Sequence, residues 1–162
     1  MQAADTHGAL AWRALEPFGV ELTGDLARPL APGEETVLRD LLHRHGLIVA
    51  RGQALSQARQ LELMRLFGPV LGDRATMAYV APDDGILGLD ALGFHSDLAF
   101  APEPFSVISL HALDVEDGQT STRFADGAGA YDRLDDDLRE RLRGLTAAAI
   151  SSSATGRTVG YD

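Results

Sequence analysis

Cysteine is absent from this 162-residue chain, and so is lysine. Without thiols there is no disulfide, no thiolate nucleophile and no zinc–thiolate centre, so any metal here has only His, Asp and Glu to hold it. Without lysine there is no Schiff-base amine and no P-loop cation. Positive charge is scarce as well: 14 basic residues, all Arg, stand against 24 acidic ones, for a net charge of -10. Such a balance opposes nonspecific binding to nucleic acid, which needs a concentrated positive surface, and points instead to a small-molecule partner. No apolar run is long enough to cross a bilayer, and the opening M-Q-A-A-D-T-H-G lacks the basic and apolar regions of a secretory signal. The expectation is a cytoplasmic protein with no membrane or nucleic-acid partner. There is no internal repeat, and the only biased stretch is the short serine run at Ser151–Ser153.

What is present is enough for one core. With 45% hydrophobic residues the chain reads as a single domain over residues 1–162. Two short strand-like pieces between Leu10 and Leu26, interrupted by Pro17 and Gly19, predict an N-terminal β element, with Trp12 and Phe18 in the core. Residues 32–45 predict a helix with Val37, Leu38, Leu41 and Leu42 on one face, Glu34 and Glu35 in the first turn where the dipole favours them, and Gly46 as the stop. Leu47 to Ala50 suits a buried strand. Ser56 is a candidate N-cap for a second helix carrying Ala58, Leu61, Leu63, Met64 and Phe67, ended by Gly68-Pro69. Further on, Pro82 to Gly85 signals a turn, Ile86 to Leu89 a strand, and Phe105 to Leu113 a strand with Ile108, Leu110 and Ala112 on one face and Val107, Ser109 and His111 on the other. Tyr131, Leu134, Leu138, Leu142 and Leu145 recur near helical spacing, with Asp135 as an internal cap, and Ala147 to Ile150 begins another strand.

The chemistry concentrates in G-F-H-S-D-L-A-F. In an extended segment, side chains two apart point the same way, so His95 and Asp97 place an imidazole beside a carboxylate. With one more His this is the facial 2-His-1-carboxylate arrangement that holds Fe(II) and leaves positions open. The spacing alone is common, and a surface His beside a turn-capping Asp is the plain alternative. Asp135, Asp136 and Asp137 read as a helix N-terminus before a cation site, and Arg139, Arg141 and Arg143 as a solvated helix face.

Several stretches, in order, resemble the taurine and 2,4-dichlorophenoxyacetate dioxygenase family from about Leu15 to Ile150: G-V-E-L-T-G-D-L-A-R-P-L, R-H-G-L-I-V-A-R-G-Q, L-M-R-L-F-G-P-V, F-H-S-D-L-A-F, and T-R-F-A-D followed by A-Y-D-R-L. The resemblance implies an α/β (α+β) chain forming an incomplete double-stranded β-helix, the cupin-like jelly roll, with flanking helices. It implies an Fe(II)- and 2-oxoglutarate-dependent dioxygenase that hydroxylates a small organic acid while 2-oxoglutarate becomes succinate. By the same resemblance His95 and Asp97 are metal ligands, Thr122 binds the 2-oxoglutarate carboxylate, Phe94 and Leu98 anchor the segment in apolar packing, and Tyr79 falls near a substrate-facing aromatic, though a half-buried strand Tyr is the preferred reading.

Two departures follow. Gln119-Thr120-Ser121-Thr122 stands where relatives carry a Gly-Gly pair, so Thr122 is chosen over Thr120 only by the register of R-F-A. The family's second His and its 2-oxoglutarate-binding Arg are expected downstream of Asp162. Of the remaining histidines, His43 and His45 belong to a helix, His7 to a frayed terminus, and His111 is a strand imidazole with a minor claim to the third position. The alternative function is a catalytically silent relative acting as a binding or assembly module, or one half of a split enzyme, paired with a complementing chain or with copies of itself.

Overall fold

The computed structural model describes residues 4–70, 93–97, 99, 101, 103–115, 121–146, 150–152 and 158–160. They fall into two compact units, one of Met1–Tyr79 with Ser109–Leu113 and one of Val80–Ile108 with Asp114–Asp162.

In the first unit a four-stranded sheet has the order β1-β2-β3-β4. Strand β1 (Asp5–His7) turns through Gly8 and Ala9 into β2 (Leu10–Ala14), with His7 opposite Leu10. Gly8 takes φ 61, the left-handed value a two-residue hairpin turn needs at its first position. His7 is therefore part of a paired strand, not of a frayed end. Strand β3 (Val20–Thr23) runs antiparallel to β2 and alternates, burying Val20 and Leu22. Helix α1 (Glu34–His45) then carries the chain across to β4 (Ile48–Ala50), which lies parallel to β3, as a crossover connection allows. Gly46 stops α1 at φ 71, donating its N–H to the Leu42 carbonyl. Among the described residues β4 is last in the sheet order, paired on one side only, and it is half-buried rather than buried.

Helix α2 (Gln57–Met64) starts at Ser56, whose hydroxyl accepts from the Arg59 N–H at 3.1 Å. The core joins Leu10, Val20 and Leu22 from the sheet, Leu26 from the following loop, Leu38 and Leu41 from α1 and Leu63 from α2, with Trp12, Val37 and Phe67 partly buried against it. Phe18 is half-buried.

The loop between β3 and α1 has no ladder of its own, and long-range polar contacts hold it. Glu34, fully buried, accepts from the N–H groups of Ala9 at 2.9 Å and Ala31 at 2.7 Å and from the Arg28 guanidinium at 2.7 Å. It is thus far more than a first-turn acid favoured by the helix dipole. Arg59 donates from α2 to the Leu26 carbonyl at 2.8 Å and also to that of Arg28. Gln53 accepts from the Leu26 N–H at 2.8 Å and donates to the Gly24 carbonyl at 2.9 Å.

The expected strand over Phe105 to Leu113 forms no ladder among the described residues. Its alternation survives, with Val107, Ser109 and His111 half-buried and Ile108, Leu110 and Ala112 exposed. Among the described residues, side-chain bonds from Ser109 to Gln60 and from His111 to Gln53 hold it.

The second unit holds α3 (Gly127–Asp132), capped by Asp126, and α4 (Asp136–Leu142), capped by Asp135, whose carboxylate accepts from the Leu138 N–H at 2.7 Å. Asp135 is a helix cap, as expected. Arg141 and Arg143 are exposed, but Arg139 is not simply a solvated charge: its guanidinium donates to the carbonyls of Asp132 at 3.0 Å and Leu134 at 2.9 Å, closing the α3–α4 turn. Strands β5 (Ile150–Ser152) and β6 (Thr158–Gly160) pair antiparallel. The expected strand at Ala147 to Ile150 therefore reaches Ile150, its first three residues lying outside the described set, as do the expected strand at Ile86 to Leu89 and Tyr79. No described helix is long and apolar enough to cross a membrane.

Two outcomes test the first unit. Leu22, 2% exposed in β3, is central to the core, so Leu22→Ala is expected to cost about 2–5 kcal/mol in denaturant unfolding, the range for a poorly collapsing core site. Arg28 first, then the Ala31 N–H, hold the Glu34 carboxyl down to about 2 from 4.5. A lowered folded value means its stabilisation is complete above about pH 4.5 and lost as pH falls through about 2. The stability gap between the wild type and Glu34→Gln, measured by urea unfolding across that range, is expected to narrow with acid; a constant gap would contradict the assignment.

Candidate metal centre

His95 and Asp97 lie in the second unit, in a bend and turn rather than a strand, with the Ala99 N–H donating to the Ser96 carbonyl at 3.3 Å. The two side chains nonetheless converge: His95 Nε2 is 2.9 Å from Asp97 Oδ1. The cause is local. His95 Nδ1 lies 2.8 Å from the Gly93 carbonyl oxygen. A carbonyl only accepts, so Nδ1 carries the proton there, and the ring is swung to present Nε2 toward Asp97.

In the neutral ring Nε2 is then a lone pair facing a carboxylate oxygen. Two acceptors at 2.9 Å repel unless a cation lies between them, and in water a proton fills that role. The Gly93 carbonyl, and after it the Asp97 carboxylate, accordingly raise the His95 pKa above 6.5. The donor chemistry also suits a divalent metal: a neutral imidazole nitrogen beside an ionised carboxylate, the other ring nitrogen engaged by a backbone carbonyl, is the usual support of a metal-bound His. Both side chains are about half exposed, 54% for His95 and 48% for Asp97, so the pair is open to a ligand.

The remaining expected residues are placed as follows. Thr122 is exposed in the irregular stretch before α3, and no hydrogen bond among the described residues joins it to the pair. Phe94 is 72% exposed, so it does not anchor the segment in apolar packing; the Gly93 contact to the imidazole does the ordering there. Leu98 lies outside the described residues. His111 belongs to the first unit, where its Nε2 lies 3.1 Å from the Gln53 carbonyl and therefore donates to it. Among the described residues no group of three or more His, Asp or Glu side chains gathers as a metal site. Sequence reasoning missed the Gly93 carbonyl; the G-F-H spacing, which puts a flexible backbone acceptor two residues before the imidazole, was the available signal.

The pair makes a direct prediction. In an NMR titration of the metal-free chain, the His95 ring is expected to titrate above its ordinary value of 6.5, and Asp97→Asn to bring it down while leaving the Gly93 contribution. Because the folded pKa is raised, its stabilisation is full below about pH 6.5 and lost as pH rises through the folded value. A His95 midpoint at or below 6.5 would refute the arrangement.

Comparison with known proteins adds the following. The model of the family described as taurine catabolism dioxygenase TauD, TfdA family matches residues 11–159. The (S)-phenoxypropionate/alpha-ketoglutarate-dioxygenase of Sphingobium herbicidovorans is 30% identical over 144 residues, covering 80% of this chain and 49% of that protein. The alpha-ketoglutarate-dependent 2,4-dichlorophenoxyacetate dioxygenase of Cupriavidus pinatubonensis is 30% identical over 147 residues, covering 76% of this chain and 51% of that protein. The chain thus spans about half the length of the curated relatives it matches. The crystal structure of AAD-2 in complex with Mn(II) and N-oxalylglycine superposes with a TM-score of 0.63 at 23% identity, over 87% of this chain and 52% of that one. This likeness carries the fold alone: an α/β chain of the cupin-like jelly-roll type with flanking helices.

Proposed function

This chain belongs to the taurine catabolism dioxygenase TauD, TfdA family, and on that premise we propose that it carries two of the protein ligands of an Fe(II) centre in a 2-oxoglutarate-dependent dioxygenase acting on a small organic acid. The observation that carries the reading is the 2.9 Å approach of His95 Nε2 to Asp97 Oδ1 with Nδ1 already committed to the Gly93 carbonyl. His95 and Asp97 would hold the metal, and Thr122 would offer its hydroxyl to a carboxylate of 2-oxoglutarate. When bound, metal and co-substrate would supply activation of dioxygen, one oxygen atom going to succinate as 2-oxoglutarate loses carbon dioxide and the other to the hydroxylated substrate. The chain's own residues orient and charge the site. Gly93 fixes the imidazole tautomer and strengthens Nε2 as a donor, and Asp97 contributes the anionic oxygen that a hard cation prefers. The names of the two curated relatives point to aryloxy carboxylic acids as the substrate class.

A second reading has its own observation. A facial Fe(II) site uses three protein ligands, and only two donors converge among the described residues. That favours a binding or assembly module, or one half of a split enzyme whose complementing chain brings the rest.

Anaerobic Fe(II) titration followed by a succinate-release assay separates the two. For the enzyme reading, the wild type takes up Fe(II) saturably, His95→Ala and Asp97→Ala each weaken uptake by on the order of 100-fold or more, and Thr122→Val keeps Fe(II) while losing affinity for 2-oxoglutarate. Wild-type chain with no saturable uptake would leave the binding or assembly module, or the half of a split enzyme.

A further inference from the structure

Trp12 stands directly opposite Asp5 in the β1–β2 ladder and opposite Leu22 in the β2–β3 ladder. Residues paired in this way point to the same face of a sheet, and Leu22 belongs to the core, so Asp5 is carried on the core side too. A carboxylate there is expected to be covered or bonded. Asp5 is neither: it is exposed, and among the described residues no hydrogen bond or ion pair takes it up. What it meets is a cavity of about 200 Å³ between the strands and α1. Trp12, Val37 and Leu41 give the cavity its apolar side, and Asp5 from β1 with Asp40, Arg44 and His45 from α1 give it a polar one. The helical members fall at i, i+3, i+4, i+7 and i+8 from Val37, one face of α1, so regular structure on both sides shapes the space. Arg44 lies 3.6 Å from Asp40, and those two charges offset each other. Asp5 remains uncompensated, and the last turn of α1, where helix carbonyls carry negative partial charge, adds to the same sign.

We propose that this cavity binds a compact organic cation, an alkylammonium or quaternary ammonium ion, with its charge toward the Asp5 carboxylate and the Trp12 indole and its carbon groups against Val37 and Leu41. Indole is the strongest of the aromatic faces for a cation, and a quaternary ammonium suits it because its charge is spread over methyl groups that also pack on apolar side chains. An anion would meet an unpaired carboxylate in a chain of net charge -10. Size narrows the class further. The cavity has room for on the order of seven water molecules at about 30 Å³ each, well short of the roughly 300–1,000 Å³ that drug-sized ligands fill. Its lining comes wholly from the first unit, whereas His95 and Asp97 belong to the second. The ligand class is also opposite in charge to the organic acid proposed as substrate, so this is a second site, and it does not rest on the reading of the metal centre.

Trp12 is the only tryptophan in the chain, so its emission reports from the cavity itself. The test titrates the full chain, at low ionic strength and without metal, with choline, a cation of the size the cavity admits. In parallel it uses 3,3-dimethyl-1-butanol, which has the same shape and no charge. Choline is expected to change the Trp12 emission saturably, with an affinity higher than that of the alcohol by on the order of fivefold. Asp5→Asn, on an exposed strand residue, is expected to weaken choline by about two- to fivefold and to leave the alcohol as it was. Absence of a saturable change with choline would overturn the site. Equal affinity for choline and the alcohol would overturn the assignment to a cation, and that comparison is made on the wild type and needs no variant. Choline binding unaltered in Asp5→Asn would remove Asp5 as the anchoring charge and the proposal with it. Neither Fe(II) nor 2-oxoglutarate enters the measurement, so its failure and the failure of the dioxygenase reading are told apart.

Discussion

A single buried carboxylate organises the first unit. Glu34 has no contact with water, and its two oxygens satisfy a hairpin N–H from the β1–β2 turn and a loop N–H and a guanidinium from the β3–α1 loop. A buried charge is tolerable only when it is paired and fully hydrogen-bonded, so these partners must arrive together. Their arrival places the β1–β2 turn against the start of α1. It also closes Gly8 to any side chain, since a Cβ there would lie 2.6 Å from Glu34 Oε1. From Arg28 the connection passes by its carbonyl to Arg59 on α2, so one network ties sheet, loop and both helices.

The second unit is built by the opposite economy. Its contacts are short in sequence: the Asp126 and Asp135 caps, the Arg139 clasp across the α3–α4 turn, and the imidazole turned by a carbonyl two residues back. A half-exposed pair made this way is already formed before any ligand arrives, which limits the ordering cost of binding. The pair's acceptor-to-acceptor geometry then favours whatever cation can sit between the two groups. A proton and a metal ion are alternatives for the same place.

Local chemistry was legible in the sequence wherever a few neighbouring residues decide the outcome. Ser56 and Asp135 cap helices because their side chains reach N–H groups three residues on, and Gly46 ends α1 because it accepts a left-handed backbone. The motifs from G-V-E-L-T-G-D-L to T-R-F-A-D led to the family for a similar reason, since they lie in order along most of the chain. Less legible were features that depend on what lies across the fold. Strand β1 is three exposed residues without apolar alternation, and only pairing with β2 makes it a strand. Phe105 to Leu113 alternates as a strand would, yet without a ladder among the described residues it is side-chain bonding to Gln53 and Gln60 that orders it. Phe94 looked like a packing residue and is exposed, because convergence of the metal pair is achieved by a hydrogen bond and needs no apolar anchor.

By itself, then, the sequence determined where the helices lie, the caps at Gly46, Ser56 and Asp135, the strands between Leu10 and Thr23, the family, and which imidazole and carboxylate stand two residues apart. Tertiary structure alone decided that Glu34 would be buried and ionised and that Gln53 and Gln60 would reach to Ser109 and His111. The division has one physical cause. Propensities and caps act over a turn or two of backbone, whereas the burial of a polar group is decided by partners 25 to 58 residues away, and no local pattern in the chain encodes their meeting.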